Sequence, residues 1–199
     1  MRVTRRQLRT LIREQLGVNF LLTEATSMLK CDPYFGRLVE AARVSTTEVF
    51  GAPVSDHNMA ELQVAHLLSE AHSGGALVFT YGSHSTKVPA GFSAVPGVRG
   101  LFIPAARKRE LRKLTREGVR DLKALVAHHK PDVLIWDKGT ITEVEVKHTR
   151  RETFKQLPKA CRTDYDYYVL ISENDTFFIH GDTYRRIAQH RNKGKGPNI

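Results

Sequence analysis

The stretch KPDVLIWDKGTITEVEVKH, residues 130–148, decides the fold. Two runs rich in β-branched and aromatic residues, 132–137 and 140–148, flank Lys138-Gly139. This is the pattern of two strands joined by a two-residue turn. Counting back from that turn, Asp137 faces Thr140 and Asp132 faces Glu145. Side chains alternate along a strand, so Glu143, Glu145 and Lys147 share one side, and direct pairing puts Asp132 with them. Two carboxylates about 5 Å apart repel unless a cation lies between them. A divalent ion such as Mg2+ suits that place, since it takes one or two carboxylates with waters and phosphate oxygens. A lysine two residues further on can hold a water or offset charge that develops on a phosphate. The ordinary alternative is a solvated strand face. Against it stand Val144 and Val146 on the other side, flanked by core-like strands. A three-residue loop with a bulge at Gly139 would break the register.

Composition narrows the class. The chain has 199 residues, 41% of them hydrophobic and 26% charged, with a net charge of +10 from 31 Lys+Arg against 21 Asp+Glu. These values describe a globular chain with room for a full core. The positive excess points to a polyanionic partner. No apolar run reaches membrane-spanning length and no secretory signal opens the chain, so a cytoplasmic, membrane-free protein is expected. Cys31 and Cys161 lack metal-ligand spacing and read as reduced thiols.

Around the hairpin, periodicity places the remaining elements. Residues 4–17 read as a basic helix with Thr4 and Gln7 as a capping box and Leu8, Leu11, Ile12 and Leu16 as its apolar stripe. Residues 56–72 form an amphipathic helix with Asp56 as N-cap. Met59, Ala60, Val64, Leu67, Leu68 and Ala71 share its apolar face, and Gln63, His66, Ser69 and Glu70 its polar face. Glu61 stands at the border, between Val64, Ala65 and Leu68. Residues 76–82 and 100–104 read as strands. Residues 108–130 read as one long helix with a buried stripe of Leu111, Leu114, Gly118, Leu122 and Leu125. On it Arg109, Arg112, Lys113, Arg116, Arg120 and Lys123 fall within an arc of roughly 100°, a one-sign face suited to phosphates. Strands at 166–172 and 175–181 and a helix at 182–192 follow. His128-His129 read as dipole partners of a helix end, His148 as packed or surface, and Trp136 as core. The expected organisation is a basic helical extension over 1–50, one domain over 51–192 and a disordered basic tail over 193–199.

Pro131-Asp132, twelve residues, then Glu145-Val146-Lys147 ending an apolar strand resembles the PD-(D/E)xK nuclease superfamily, the fold of many restriction endonucleases and Holliday-junction resolvases. AELQVAHLLSEAHSGGALVFTYG (60–82) is similar to that superfamily's first helix and strand, whose helix glutamate contributes to the metal site; Glu61 matches it. The resemblance covers roughly 56–181. Its departure is the basic helix before Pro131, which is either an insertion or the family's first helix, with Glu117 or Glu110 then replacing Glu61.

The resemblance implies an α/β fold with a restriction-endonuclease-like αβββαβ core, a central mixed sheet flanked by helices. It implies Mg2+-dependent hydrolysis of DNA phosphodiester bonds, with Mn2+ as substitute, and endonuclease action by a homodimer. Asp132, Glu145, Glu61 and the Val146 carbonyl would hold metal, Lys147 would orient or activate water, and Gln156 would assist. The basic helix would grip the phosphates. RNA stays open as a substrate. The rival readings are a non-catalytic nucleic-acid-binding module and an assembly protein on the same fold.

Overall fold

A computed structural model describes residues 43–72, 75–82, 87–152 and 165–185. The expected helix 4–17, Gln156, both cysteines and the tail 193–199 lie outside the described residues. The described residues are α/β, with eight strands and a few helices. In chain order the elements are β1 (Arg43–Ser45), α1 (Thr46–Phe50), α2 (His57–Ala71), β2 (Leu77–Tyr81), β3 (Phe92–Ala94) and β4 (Leu101–Pro104). A 3-10 segment (Ala105–Lys113) leads to α3 (Arg116–His128), β5 (Val133–Asp137), β6 (Thr140–His148), β7 (Tyr167–Ile171) and β8 (Asp175–His180). The described residues form two compact units, one within 61–146 and one from 43–60 together with 147–152 and 165–185; the divisions fall within α2 and within β6.

In the unit 61–146 the strand order is β6-β5-β2-β4-β3, and every neighbouring pair is antiparallel. β2 and β5 are central strands with buried runs, LVFT and VLIW, so they read as continuous apolar segments. One side of β2 and β5 carries Leu77, Phe79, Leu134 and Trp136, paired as Leu77↔Trp136 and Phe79↔Leu134. These four pack with Leu101, Ile103, Leu122 and Val126, which puts α3 on that side. Trp136 is therefore core, as the sequence suggests, with 6% exposure.

The sequence reading of one continuous helix over 108–130 is corrected. Residues 105–113 are a 3-10 segment, Leu114 is extended (φ −74, ψ 118), and α3 starts at Arg116. The break has a local cause. The Thr115 hydroxyl accepts the Gly118 amide at 3.0 Å and caps α3, which ends any helix arriving from upstream. Upstream, Glu110 draws Arg107 and Lys113 to itself at i±3, the spacing that eclipses in a 3-10 helix. The leucine spacing 111-114-118 fits both helix types, so periodicity alone misses the junction.

Gly118 sits where α3 meets Trp136. A Cβ there would stand 2.9 Å from Leu114 Cδ1 and 3.0 Å from Trp136 Nε1. Gly118→Ala gains about 1 kcal/mol of helix propensity, but overpacking a core costs about 1–3 kcal/mol. A net loss of about 1 kcal/mol is expected in urea unfolding, opposite in sign to the same change on a solvent-facing helix position.

In the other unit β1, β8 and β7 lie side by side, antiparallel. Arg43 Nε bonds Asp175 at 2.9 Å across β1 and β8, and the buried Thr46 hydroxyl reaches Ser172 O at 2.9 Å and the Thr176 hydroxyl at 3.0 Å. Neither β1 nor α1 was expected, and three-residue β3 was also missed; strands this short carry too little alternation to read. Residues 181–185 are helical, at the start of the expected 182–192 helix.

Candidate metal and catalytic site

The hairpin forms in the expected register. Lys138 (φ 50) and Gly139 (φ 97) both adopt left-handed backbone, the requirement of a two-residue type I′ turn. The ladder then runs without a bulge from Asp137↔Thr140 through Leu134↔Glu143 to Val133↔Val144. One step further counts Asp132 opposite Glu145. Glu145 is buried at 4% exposure, between Val144 and Val146 at 0%. Lys147 is half-buried. The bland expectation of a solvated strand face is thus set aside for β6 at 144–146, which is covered on both sides.

Asp132 is fixed from two directions. Its backbone carbonyl accepts the Tyr81 amide at 3.0 Å and the Thr80 hydroxyl at 3.2 Å, which ties it to β2. Its carboxylate Oδ2 accepts the Val146 amide at 2.8 Å, which ties it to β6. The first acid of the set, Glu143, has a different role. Both of its oxygens lie 3.1 Å from His129 Nδ1, at the C-terminal cap of α3. His129 thus pairs with the hairpin as well as closing its helix, whereas the sequence reading gave it only a dipole. His148, expected to be packed or at the surface, is half-buried, and its Nε2 lies 3.1 Å from Val54 O.

Glu61 comes from α2. Asp56 caps this helix: Oδ1 accepts the Met59 amide at 2.9 Å, and Ser55 Oγ donates to Oδ2 at 3.1 Å. The Met59 hydrogen bond is the main reason the Asp56 carboxyl is held below its ordinary value. The helix buries Ala60, Val64, Ala65, Leu68 and Ala71, which leaves Glu61 half-buried at the border of that face. Two assignments on this helix are corrected: Met59 is 43% exposed, whereas Ser69, placed on the polar face, is buried.

Donor atoms of Glu61 and Asp132 lie within 4.8 Å of each other. Of the three candidate upstream acids, Glu61 is the one in this pair. Glu110 instead pairs with Arg107 and Lys113, and Glu117 is exposed in the first turn of α3. Glu61 and Asp132 offer carboxylate oxygens, the donor type that divalent cations such as Mg2+ and Mn2+ take.

The six basic residues divide at the junction. Arg109, Arg112 and Lys113 lie on the 3-10 segment; Arg116, Arg120 and Lys123 share one face of α3 at i, i+4 and i+7. All six are exposed. Lys113 Nζ donates to Glu110 at 2.8 Å, and Arg120 Nε lies 3.6 Å from Asp121. The single 100° arc does not exist. Among the described residues no helix is long and apolar enough to cross a membrane. Compared with protein-family models, with curated proteins and with solved structures, the chain matches none.

Proposed function

We propose that the protein is a metal-dependent nuclease that hydrolyses phosphodiester bonds of DNA, with a PD-(D/E)xK-type site built on the β5–β6 hairpin. The observation that supports this best is the convergence of Glu61 and Asp132, from a helix and a hairpin 71 residues apart in the chain, within metal-ligand reach. Asp132 and Glu61 hold a Mg2+ or Mn2+ ion, and Glu145 and the Val146 carbonyl complete its protein ligands. Such an ion neutralises charge on the scissile phosphate and makes water a stronger nucleophile near neutral pH. Lys147, on the same side of β6 as Glu145, orients that water or balances charge growing on the phosphate. Gln156 assists from the segment that follows. Arg109, Arg112, Lys113, Arg116, Arg120 and Lys123 bind backbone phosphates in two groups, and each such contact steepens the fall of affinity with salt. The enzyme acts inside the cell, and a homodimer would let it cut both strands.

The test is incubation of the purified protein with supercoiled plasmid in EDTA, Mg2+ or Mn2+. Nicking that needs the metal and falls about 1,000-fold in Lys147→Ala, a loss of about 4 kcal/mol of transition-state stabilisation, is the expected result. Cleavage that survives Lys147→Ala sinks the assignment of that lysine. Salt-sensitive binding without cleavage, on plasmid and on branched DNA or RNA, would instead support a non-catalytic nucleic-acid-binding protein.

A further inference from the structure

We propose that duplex DNA straightens the 3-10 segment into α3, so that the two basic groups merge into one phosphate-binding face in the bound state. The inference rests on the nucleic-acid-binding part of the reading above and adds a conformational step to it. All the residues concerned lie within the unit 61–146. Nine residues, Ala105–Lys113, are in 3-10 geometry, a long run for a helix type with poorer hydrogen bonds, and none of them is buried. Their spacing nonetheless suits an α-helix. On one continuous helix the six basic residues fall within an arc of about 100°, and the stripe from Leu111 to Leu125 falls within about 80° on the opposite side. Continuity also gives the Arg116 and Glu117 amides, first-turn donors without a partner inside α3, the carbonyls of Arg112 and Lys113. Arg107, tied to Ser69 O and Ala76 O, marks the upstream limit of the change. Like charges oppose the straight form. It sets Arg109 against Lys113 and Arg112 against Arg116 at i,i+4, and Lys113 against Arg116 at i,i+3. The Thr115 hydroxyl, 3.0 Å from the Gly118 amide, caps the broken form instead. A phosphate backbone removes the repulsion and meets all six cations on one face. It therefore binds the straight form better, which is what a shift of population requires.

The probe is a short DNA duplex bound by the full chain in EDTA, which keeps cleavage out of the measurement. Two variants should act in opposite directions although both remove the Thr115 cap. Thr115→Pro suits the break, because Thr115 has φ −73 and Leu114 has ψ 118, yet it forbids the straight helix by clashing with the Leu111 carbonyl. Thr115→Ala frees the junction to become helical. Relative to wild type, Thr115→Pro should bind the duplex about tenfold more weakly and Thr115→Ala about threefold more tightly. The slope of log affinity against log salt should change from about −5 in wild type to about −3 in Thr115→Pro, as six phosphate contacts become three. Hydrogen exchange of the Arg116 and Glu117 amides should slow about tenfold or more when duplex is added to wild type, and should not change in Thr115→Pro. If Thr115→Pro fails to fold, the tighter binding of Thr115→Ala and the slowed exchange in wild type carry the test. Salt-sensitive binding that is equal in the three proteins, or that weakens in both variants, overturns the straightening and leaves the nuclease reading standing. Absence of duplex binding also overturns it, and metal-dependent nicking of plasmid by the same preparation then decides separately whether the nuclease reading holds.

Discussion

Asp132→Asn should eliminate metal-dependent cleavage while leaving the fold intact. The carboxylate has two tasks that this substitution separates. Oδ2 accepts the Val146 amide at 2.8 Å, and an asparagine carbonyl oxygen can accept the same bond. The charge, by contrast, is what the proposed ion shared with Glu61 would need, and asparagine lacks it. A loss of about 1,000-fold or more in rate, about 4 kcal/mol, is expected with a midpoint of urea unfolding close to wild type. Asp132→Ala provides the contrast. It removes the ligand and also leaves the Val146 amide without its partner, at a cost of about 1–3 kcal/mol for a buried donor. Equal inactivation by the two variants with unequal stability would match this division. If Asp132→Asn keeps near-wild-type cleavage in a preparation free of contaminating nuclease, the site is misplaced.

The hairpin was legible because its determinants are local. Lys138-Gly139 permits two consecutive left-handed residues, and once the loop length is two, every cross-strand pair follows. The acids then fall opposite each other by counting. Other features depended on contacts that periodicity does not carry. Glu143 looked equivalent to Glu145 on the strand, yet its partner is His129, fourteen residues earlier and on another element. Ser69 looked polar and exposed but is buried where Arg107 arrives from 38 residues away. The basic helix failed for a different reason. Its apolar spacing is shared by α and 3-10 geometry, and the deciding signal was the cap at Thr115 rather than the leucines.

Arg107→Met should destabilise the unit 61–146 by about 2–3 kcal/mol, a larger effect than surface ion pairs allow. The guanidinium side chain is 13% exposed and makes bonds in three directions. Nη1 donates to Ser69 O at 2.8 Å, and Nη2 donates to Ala76 O at 3.1 Å and to Glu110 Oε2 at 2.8 Å; Nε also faces Glu110. Ser69 lies in the last turn of α2, where carbonyls have no partner within the helix, and a cation there also suits the helix dipole. Arg107 thereby joins the 3-10 segment to the end of the helix that carries Glu61 and to the approach of β2. Methionine fills comparable volume but leaves these carbonyls bare, and Glu110 keeps only Lys113. Arg107→Lys should recover less than half of the loss, since an ammonium cannot reproduce the planar fork. The acid limb of the stability curve gives an independent readout. Hydrogen bonding from Arg107, then from Lys113, holds the Glu110 carboxyl below its ordinary value despite partial burial. A carboxyl with a depressed folded-state pKa contributes stability that is fully present above its unfolded value, about 4.3, and is lost as pH falls through the folded value. Wild-type stability should therefore decline below about pH 4.3, and Arg107→Met should show a shallower decline there because its Glu110 is less perturbed. Unfolding midpoints in urea at pH 7 and across pH 3–5 for both proteins would check it; parallel acid limbs would show that Arg107 is not what lowers the Glu110 pKa.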